Sequence, residues 1–141
     1  MTGSAASDLL RNPRSRSRMD IRATLTELCE AFNAHDLDRI MAFFADDCVL
    51  EMPRGAEPWG TRCEGKRSVR DALATRFEGL PDVHYGSGQH FADEAASTGM
   101  SKWTLTGTTR EGVKKEVRGC DFYTFRDGKV IRKDSYWKIV E

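Results

Sequence analysis

The densest chemistry in the chain lies in the run Gly119-Cys120-Asp121-Phe122-Tyr123-Thr124-Phe125-Arg126-Asp127-Gly128-Lys129-Val130-Ile131-Arg132-Lys133. Apolar and polar residues alternate along it, and Arg126-Asp127-Gly128 is turn material, so it reads as a β-hairpin. Gly119, Asp121, Tyr123 and Phe125 then share one face. A three-residue loop with Gly128 in a left-handed bulge sets Asp121 directly across from Lys133, with Ser135 and Trp137 beside them. A two-residue Asp127-Gly128 loop sets Asp121 across from Asp134 instead, and the sequence leaves both registers open. In the first register a carboxyl and an amine sit among aromatic rings. An apolar hollow favours the neutral, proton-donating carboxyl; a neighbouring ammonium favours the anion, fit to abstract a proton next to a carbonyl. The same pair also reads as a buried ion pair that only fixes strand register.

Other motifs carry less. Gly60-Thr61-Arg62-Cys63-Glu64-Gly65-Lys66-Arg67 nearly spells a phosphate-binding loop, but Arg67 stands where a Ser or Thr hydroxyl would hold magnesium. Cys29, Cys48, Cys63 and Cys120 make no C-x-x-C pair, and His35, His84 and His90 do not fall at ligand spacing with them, so no metal site is expected. His84 and His90, six residues apart on one strand, could share a face, and they read as a pocket edge or a solvated face before they read as ligands. No G-x-S-x-G motif occurs. Trp59, in the loop after the first strand, is either a lid over a pocket mouth or a loop anchor. Trp103 points into the hollow or into the core. Glu51 alternates with Leu50 and Met52 and so faces away from the hollow. Asp46 and Asp47 cap and solvate the turn before the strand. Lys102, Lys114, Lys115 and Arg118 read as a solvated outer face.

The elements that must position these residues follow from periodicity. Asp20 caps a helix with Ile21, Leu25, Leu28, Cys29 and Phe32 on one stripe. Asp36 caps a second, short helix carrying Leu37, Ile40, Met41 and Phe44. Cys48 to Met52 is a short strand stopped by Pro53. Gly65 opens a third helix with Val69, Ala72, Leu73 and Phe77 buried, ended by a C′ Gly79 and by Pro81. From Val83 the period becomes two, with strands near 83–91, 97–109, 113–125 and 129–139. Asp93-Glu94, Glu111-Gly112 and Asp127-Gly128 mark the turns. Three helices and a run of antiparallel strands make an α+β pattern, with the helices on one face of the sheet. A bent sheet of this kind, rich in aromatics, leaves a concave inner face where small molecules bind.

Composition bounds the rest. At 141 residues the chain is one domain, and 22 basic against 22 acidic residues cancel, which removes the electrostatic case for nucleic acid or an acidic membrane. Mean hydropathy is -0.57, and no apolar run approaches the roughly 18 residues of a membrane span. Residues 1–19 hold Arg11, Arg14, Arg16 and Arg18 against Asp8 and no apolar h-region. They read as a disordered basic tail rather than a secretory signal, with the domain over 20–141. Reduced cysteines are expected, hence a cytoplasmic protein.

Three segments carry a family resemblance: Ala31-Phe32-Asn33-Ala34-His35-Asp36-Leu37-Asp38, Phe44-Ala45-Asp46-Asp47-Cys48-Val49-Leu50-Glu51-Met52-Pro53, and Gly119 to Val130. Over about residues 20–140 the chain resembles the SnoaL-like and ketosteroid-isomerase-like branch of the nuclear-transport-factor-2-like superfamily. The resemblance implies a cone-shaped curved antiparallel sheet wrapped by three N-terminal helices, a cystatin-like α+β barrel around a pocket, in a homodimer. The ketosteroid-isomerase base falls at Met52, which cannot accept a proton, and the helix Tyr falls at Leu28. Steroid isomerisation is therefore not expected. Asp121 matches the acid/base of the polyketide cyclases, whose partner His is replaced by Lys133.

The expectation is thus a cofactor-independent cyclase, isomerase or lyase acting on a small apolar carbonyl compound. Asp121 and Lys133 are its catalytic pair, and Met52, Trp59, Trp103, Tyr123, Ser135 and Trp137 contact the substrate. The alternative is a non-catalytic binding or dimerisation module of the same fold.

Overall fold

The computed structural model describes residues 19–141, so the tail expected at its start lies, Met19 apart, outside the described residues. Met19 itself packs partly buried against the core. Helix α1 spans Ile21–Asn33; its N-cap Asp20 accepts the Ala23 N–H at 3.0 Å, and Ile21, Leu25, Leu28 and Phe32 form the buried stripe. Helix α2 covers only Leu37–Met41, capped by Asp36. Phe44, expected on that helix, instead begins strand β1, Phe44–Glu51. Backbone pairing is the reason: the Val130 N–H donates to the Phe43 carbonyl at 2.9 Å and draws the strand back toward the helix. Asp46 and Asp47 consequently lie within the strand rather than in a turn before it. Asp47 takes the Arg126 guanidinium at 2.6 Å, which holds its carboxyl below the usual range.

Strand β2, Arg62–Glu64, was not expected; at three residues it is too short to show alternation. Helix α3 spans Lys66–Gly79, with Gly65 at its N-cap and Leu80 at its C-cap. Gly79 is the last helical residue and not a left-handed C′ glycine, so Pro81 and the Leu80 cap end the helix. Strands β3 (His84–Asp93), β4 (Thr98–Thr108), β5 (Lys114–Arg126) and β6 (Lys129–Trp137) follow near the expected bounds.

The sheet is mixed and open, in the order β2-β1-β6-β5-β4-β3, with β1 running parallel to β6. The expected curved α+β sheet is present, with one parallel strand pair added to the antiparallel ones and an open edge. Register shifts interrupt β1–β6, β3–β4 and β5–β6, and such bulges bend a sheet. Helix α1 packs on the inner face tightly enough that a Cβ on Gly99 would meet Ile21 Cγ2 at 2.7 Å. The main core joins α1, α2, α3 and β1 to Tyr123, Phe125 and Val130; a second cluster joins Leu80 and Val83 to Trp103 and Leu105.

The segment Asn33-Ala34-His35-Asp36 is structural. Asn33 brackets the Tyr85 backbone, accepting its N–H at 2.8 Å and donating to its carbonyl at 3.0 Å. His35, at φ 55°, reaches the Val83 carbonyl at 2.7 Å. Together they pin the exit of α1 to the start of β3, which aims Tyr85 inward opposite Leu105.

Candidate active site

The β5–β6 hairpin turns on Asp127 and Gly128, both left-handed at φ 51° and 76°, as a two-residue type I′ turn requires. Arg126 pairs with Lys129, but beyond Phe125–Val130 the register steps so that Thr124 faces Arg132. Ile131 is the extra residue of a bulge. Asp121 therefore faces Ser135, and Tyr123 faces Lys133. Neither expected register occurs: Asp121 is opposite neither Lys133 nor Asp134. The three-residue-loop register nevertheless placed the right residues on one face, because the true pairing differs from it by two positions and a side chain returns to its face every two.

Lys133 reaches its carboxylate along the diagonal. Its Nζ donates to Asp121 Oδ1 at 2.8 Å and to Ser135 Oγ at 2.9 Å, and Ser135 Oγ donates to the same Oδ1 at 2.6 Å. Trp103, fully turned inward on β4, donates its indole N–H to Oδ2 at 2.9 Å. Gly119 makes room for that indole: a Cβ there would meet Trp103 Cη2 at 2.6 Å and the Tyr136 carbonyl at 2.5 Å. Asp121, Lys133 and Ser135 are all buried, and no buried side-chain polar atom among the described residues lacks a partner. The Lys133 ammonium also lies 5.5 Å from the Phe32 ring centre and 5.9 Å from that of Tyr123.

A carboxylate offers about four lone-pair sites. Two on Oδ1 and one on Oδ2 are taken, which leaves one free on Oδ2. Two small adjoining cavities, about 20 and 30 Å³, meet at Asp121 and Lys133. Each holds about one water. The first lies under α1, with Cys29, Tyr85 and Tyr123 in its wall; the second lies under α3, walled by Met52, Arg76 and Trp137. Met52, Ser135 and Trp137 also line a groove of about 330 Å³ on the outside, where Trp59 stands. Met52 and Trp137 are thus the partition between groove and interior. Trp59 reaches the rim only; it is 42% exposed and stacks with Arg62 at 4.6 Å.

Burial pushes the Tyr85 and Tyr123 phenols well up, and the Asp121 charge adds to it. Burial likewise raises the Cys29 thiol, reinforced by Asp121 and Glu30, so the sulfur is not an activated thiolate. His90 shares a 2.8 Å hydrogen bond with Ser101 Oγ on the inner side, and burial with the Arg22 charge lowers its pKa. His84 pairs opposite Thr106 and faces out. The bulge between Gly86 and Gln89 puts the two histidines on opposite faces. Glu51 does face away from the hollow, yet it is buried, clamped by Arg62 at 3.2 Å and by Arg132. Among the described residues no cluster of His, Cys, Asp and Glu could hold a metal ion, and no helix is long and apolar enough to cross a membrane.

Sequence reasoning missed Phe32, Tyr85 and Arg76 as wall residues. Phe32 was read only as helix stripe. Arg76 lies four residues after Ala72 and three after Leu73, so a charge interrupting an apolar stripe was the available signal.

A curved, open α+β sheet covered on its inner face by helices is the fold of the nuclear-transport-factor-2-like class. Solved structures agree. A candidate polyketide cyclase from Xanthomonas campestris pv. campestris superposes with a TM-score of 0.76 at 19% identity, over 86% of this chain and 93% of that one. The Mycobacterium tuberculosis protein RV0760c, solved in complex with estradiol-17beta-hemisuccinate, gives 0.71 at 23% identity over 84% and 94%. An NTF2-like protein from Exiguobacterium gives 0.70 at 17% identity over 83% and 99%. At these identities the likeness is one of fold. No curated protein matches the sequence. The SnoaL-like domain model matches residues 25–133, and the chain belongs to that family.

Proposed function

We propose that this SnoaL-like protein binds a small carbonyl compound between α1, α3 and the inner sheet face, and that Asp121 Oδ2 exchanges a proton with it. The reaction would be a cofactor-independent cyclisation, isomerisation or elimination. The observation that carries this reading is the buried Asp121, given three hydrogen bonds by Lys133, Ser135 and Trp103 and lining both interior cavities. Lys133 would orient the carboxyl group and stabilise negative charge developing on a substrate oxygen. Trp103, Tyr123 and Trp137 would be walls, Met52 and Trp137 the door, Ser135 a positioning hydroxyl and Trp59 a rim contact. The ligand seen in RV0760c supports the view that this fold can open to a small molecule.

One observation favours the second reading, a non-catalytic module. The interior holds only water-sized space, so a substrate enters only if the Met52–Trp137 partition moves. On the outer sheet face Phe91, Met100 and Phe122 lie in one row, with Phe91 51% and Phe122 44% exposed. Such a row suits a homodimer built face to face. The four free thiols suit a reducing compartment, and we place the protein in the cytoplasm.

The test is a thermal-shift screen of carbonyl compounds on wild type and Asp121→Asn, followed by product analysis of each hit. Turnover by wild type that the Asp121→Asn variant lacks supports the enzyme. Hits converted equally by both proteins, or bound by both and converted by neither, overturn it.

A further inference from the structure

We infer that the ligand of this hollow carries an anionic group, a carboxylate above all, and that Arg76 is the residue that selects it. This rests on the reading of the hollow as a binding site, and it replaces the expectation of a wholly apolar ligand.

The charge inventory of the interior is unbalanced. Asp121 and Lys133 cancel each other at 2.8 Å. Arg76, at the end of α3, is the remaining charged group in the cavity walls, so the walls carry one net positive charge. Three arginines among the described residues are not fully exposed: Arg70, Arg76 and Arg132. Arg70 has Asp38 at 2.7 Å, and Arg132 has Glu51. Arg76 forms no ion pair among the described residues; the Tyr85 hydroxyl beside it is neutral and supplies no counter-charge. A half-buried guanidinium without a counter-charge is costly, and its neighbours say what would satisfy it.

Its carbon stands 4.3 Å from the centre of the Trp137 ring. A guanidinium carbon over an indole at this distance is held by cation–π attraction, which spends none of its N–H donors, so they remain for a forked pair with a carboxylate. The stack also places the cation at the partition itself, since Trp137 separates the interior from the outer groove. The groove's acidic wall residue is Asp134, and it takes the Tyr136 hydroxyl at 2.9 Å. That carboxylate would repel an anion resting in the groove and favour its passage inward to Arg76. A ligand held there by its carboxylate would extend its carbonyl arm toward Lys133 and the free lone pair of Asp121, which line the same cavity.

The test compares matched pairs: phenylpyruvate, benzoylacetate and 4-phenyl-2-oxobutanoate, each against its methyl ester, titrated by tryptophan fluorescence and calorimetry. Wild type should bind the acids about tenfold or more tightly than the esters, the preference weakening with added salt. Arg76→Gln should bring each ratio to within about twofold, and Arg76→Lys should restore part of it. Asp121→Asn should keep the preference, because that residue is not its source. Equal affinity for acid and ester in wild type, a preference surviving in Arg76→Gln, or no acid bound at millimolar concentration overturns the inference. A retained acid preference in a protein whose Asp121→Asn variant turns over unchanged would sink the catalytic reading and leave this one standing.

Discussion

Replacing Lys133 by Met removes a charge from the best-buried ion pair among the described residues and tests why that pair exists. The two groups lie 2.8 Å apart with side chains only 9% and 7% exposed. At an effective dielectric constant of about 20 their attraction is about 6 kcal/mol. Desolvation of each ion costs several kcal/mol, so the net gain over an apolar pair is near zero or negative. Losing one partner is another matter. Lys133→Met leaves Asp121 buried with only Trp103 and Ser135 as donors, and should cost about 3–5 kcal/mol. Asp121→Leu leaves the ammonium stranded and should cost about as much. The double variant strands no charge; what remains is an orphaned indole N–H and a serine hydroxyl, about 1–3 kcal/mol. Urea unfolding followed by tryptophan fluorescence should therefore give a double variant markedly more stable than either single one, with a coupling of about 6 kcal/mol. A pair so easily replaced by hydrocarbon is retained for something other than stability. Single effects that add to within ~0.5 kcal/mol would refute the reasoning, since they would mean that the charges do not interact.

Gly119→Ala should destabilise by about 1–3 kcal/mol and shift the fluorescence of Trp103, because the new methyl meets the indole and the Tyr136 carbonyl; unfolding curves and emission spectra check both. Asn33→Ala should cost about 1–3 kcal/mol by leaving both Tyr85 backbone groups unpaired, and should raise hydrogen exchange at the start of β3. Burial raises the phenols of Tyr85 and Tyr123, so absorbance titration should show neither ionising near pH 10 in the folded protein, while the exposed Tyr136, raised by its hydrogen bond to Asp134, ionises before them. The stability they contribute is full below that pH and is lost as pH rises toward their folded values. His90 has the opposite sign: its lowered value means the unfolded chain binds the proton more readily, so stability should fall as pH drops below about 6.5, less so in His90→Gln.

Local rules made much of this protein legible before any coordinates. Asp20 and Asp36 are caps because their carboxylates reach the N–H three residues on, a purely local fit. Period-two alternation put Asp121 with Tyr123 on one face of β5, and Ser135 with Trp137 on one face of β6; whether those two faces coincide was left to the register. What lay beyond reach depended on residues distant in sequence. The extra residue at Ile131 moved Asp121 opposite Ser135, and a bulge leaves no composition signal in a hairpin this uniform. The parallel pairing of β1 with β6, and with it the extension of β1 back to Phe44, joins segments some 80 residues apart. Arg76 became a wall of the site only when α3 settled over the sheet. The size of the hollow is set the same way, by how closely two helices pack on a bent sheet, a sum of side-chain volumes that no single stretch of sequence contains.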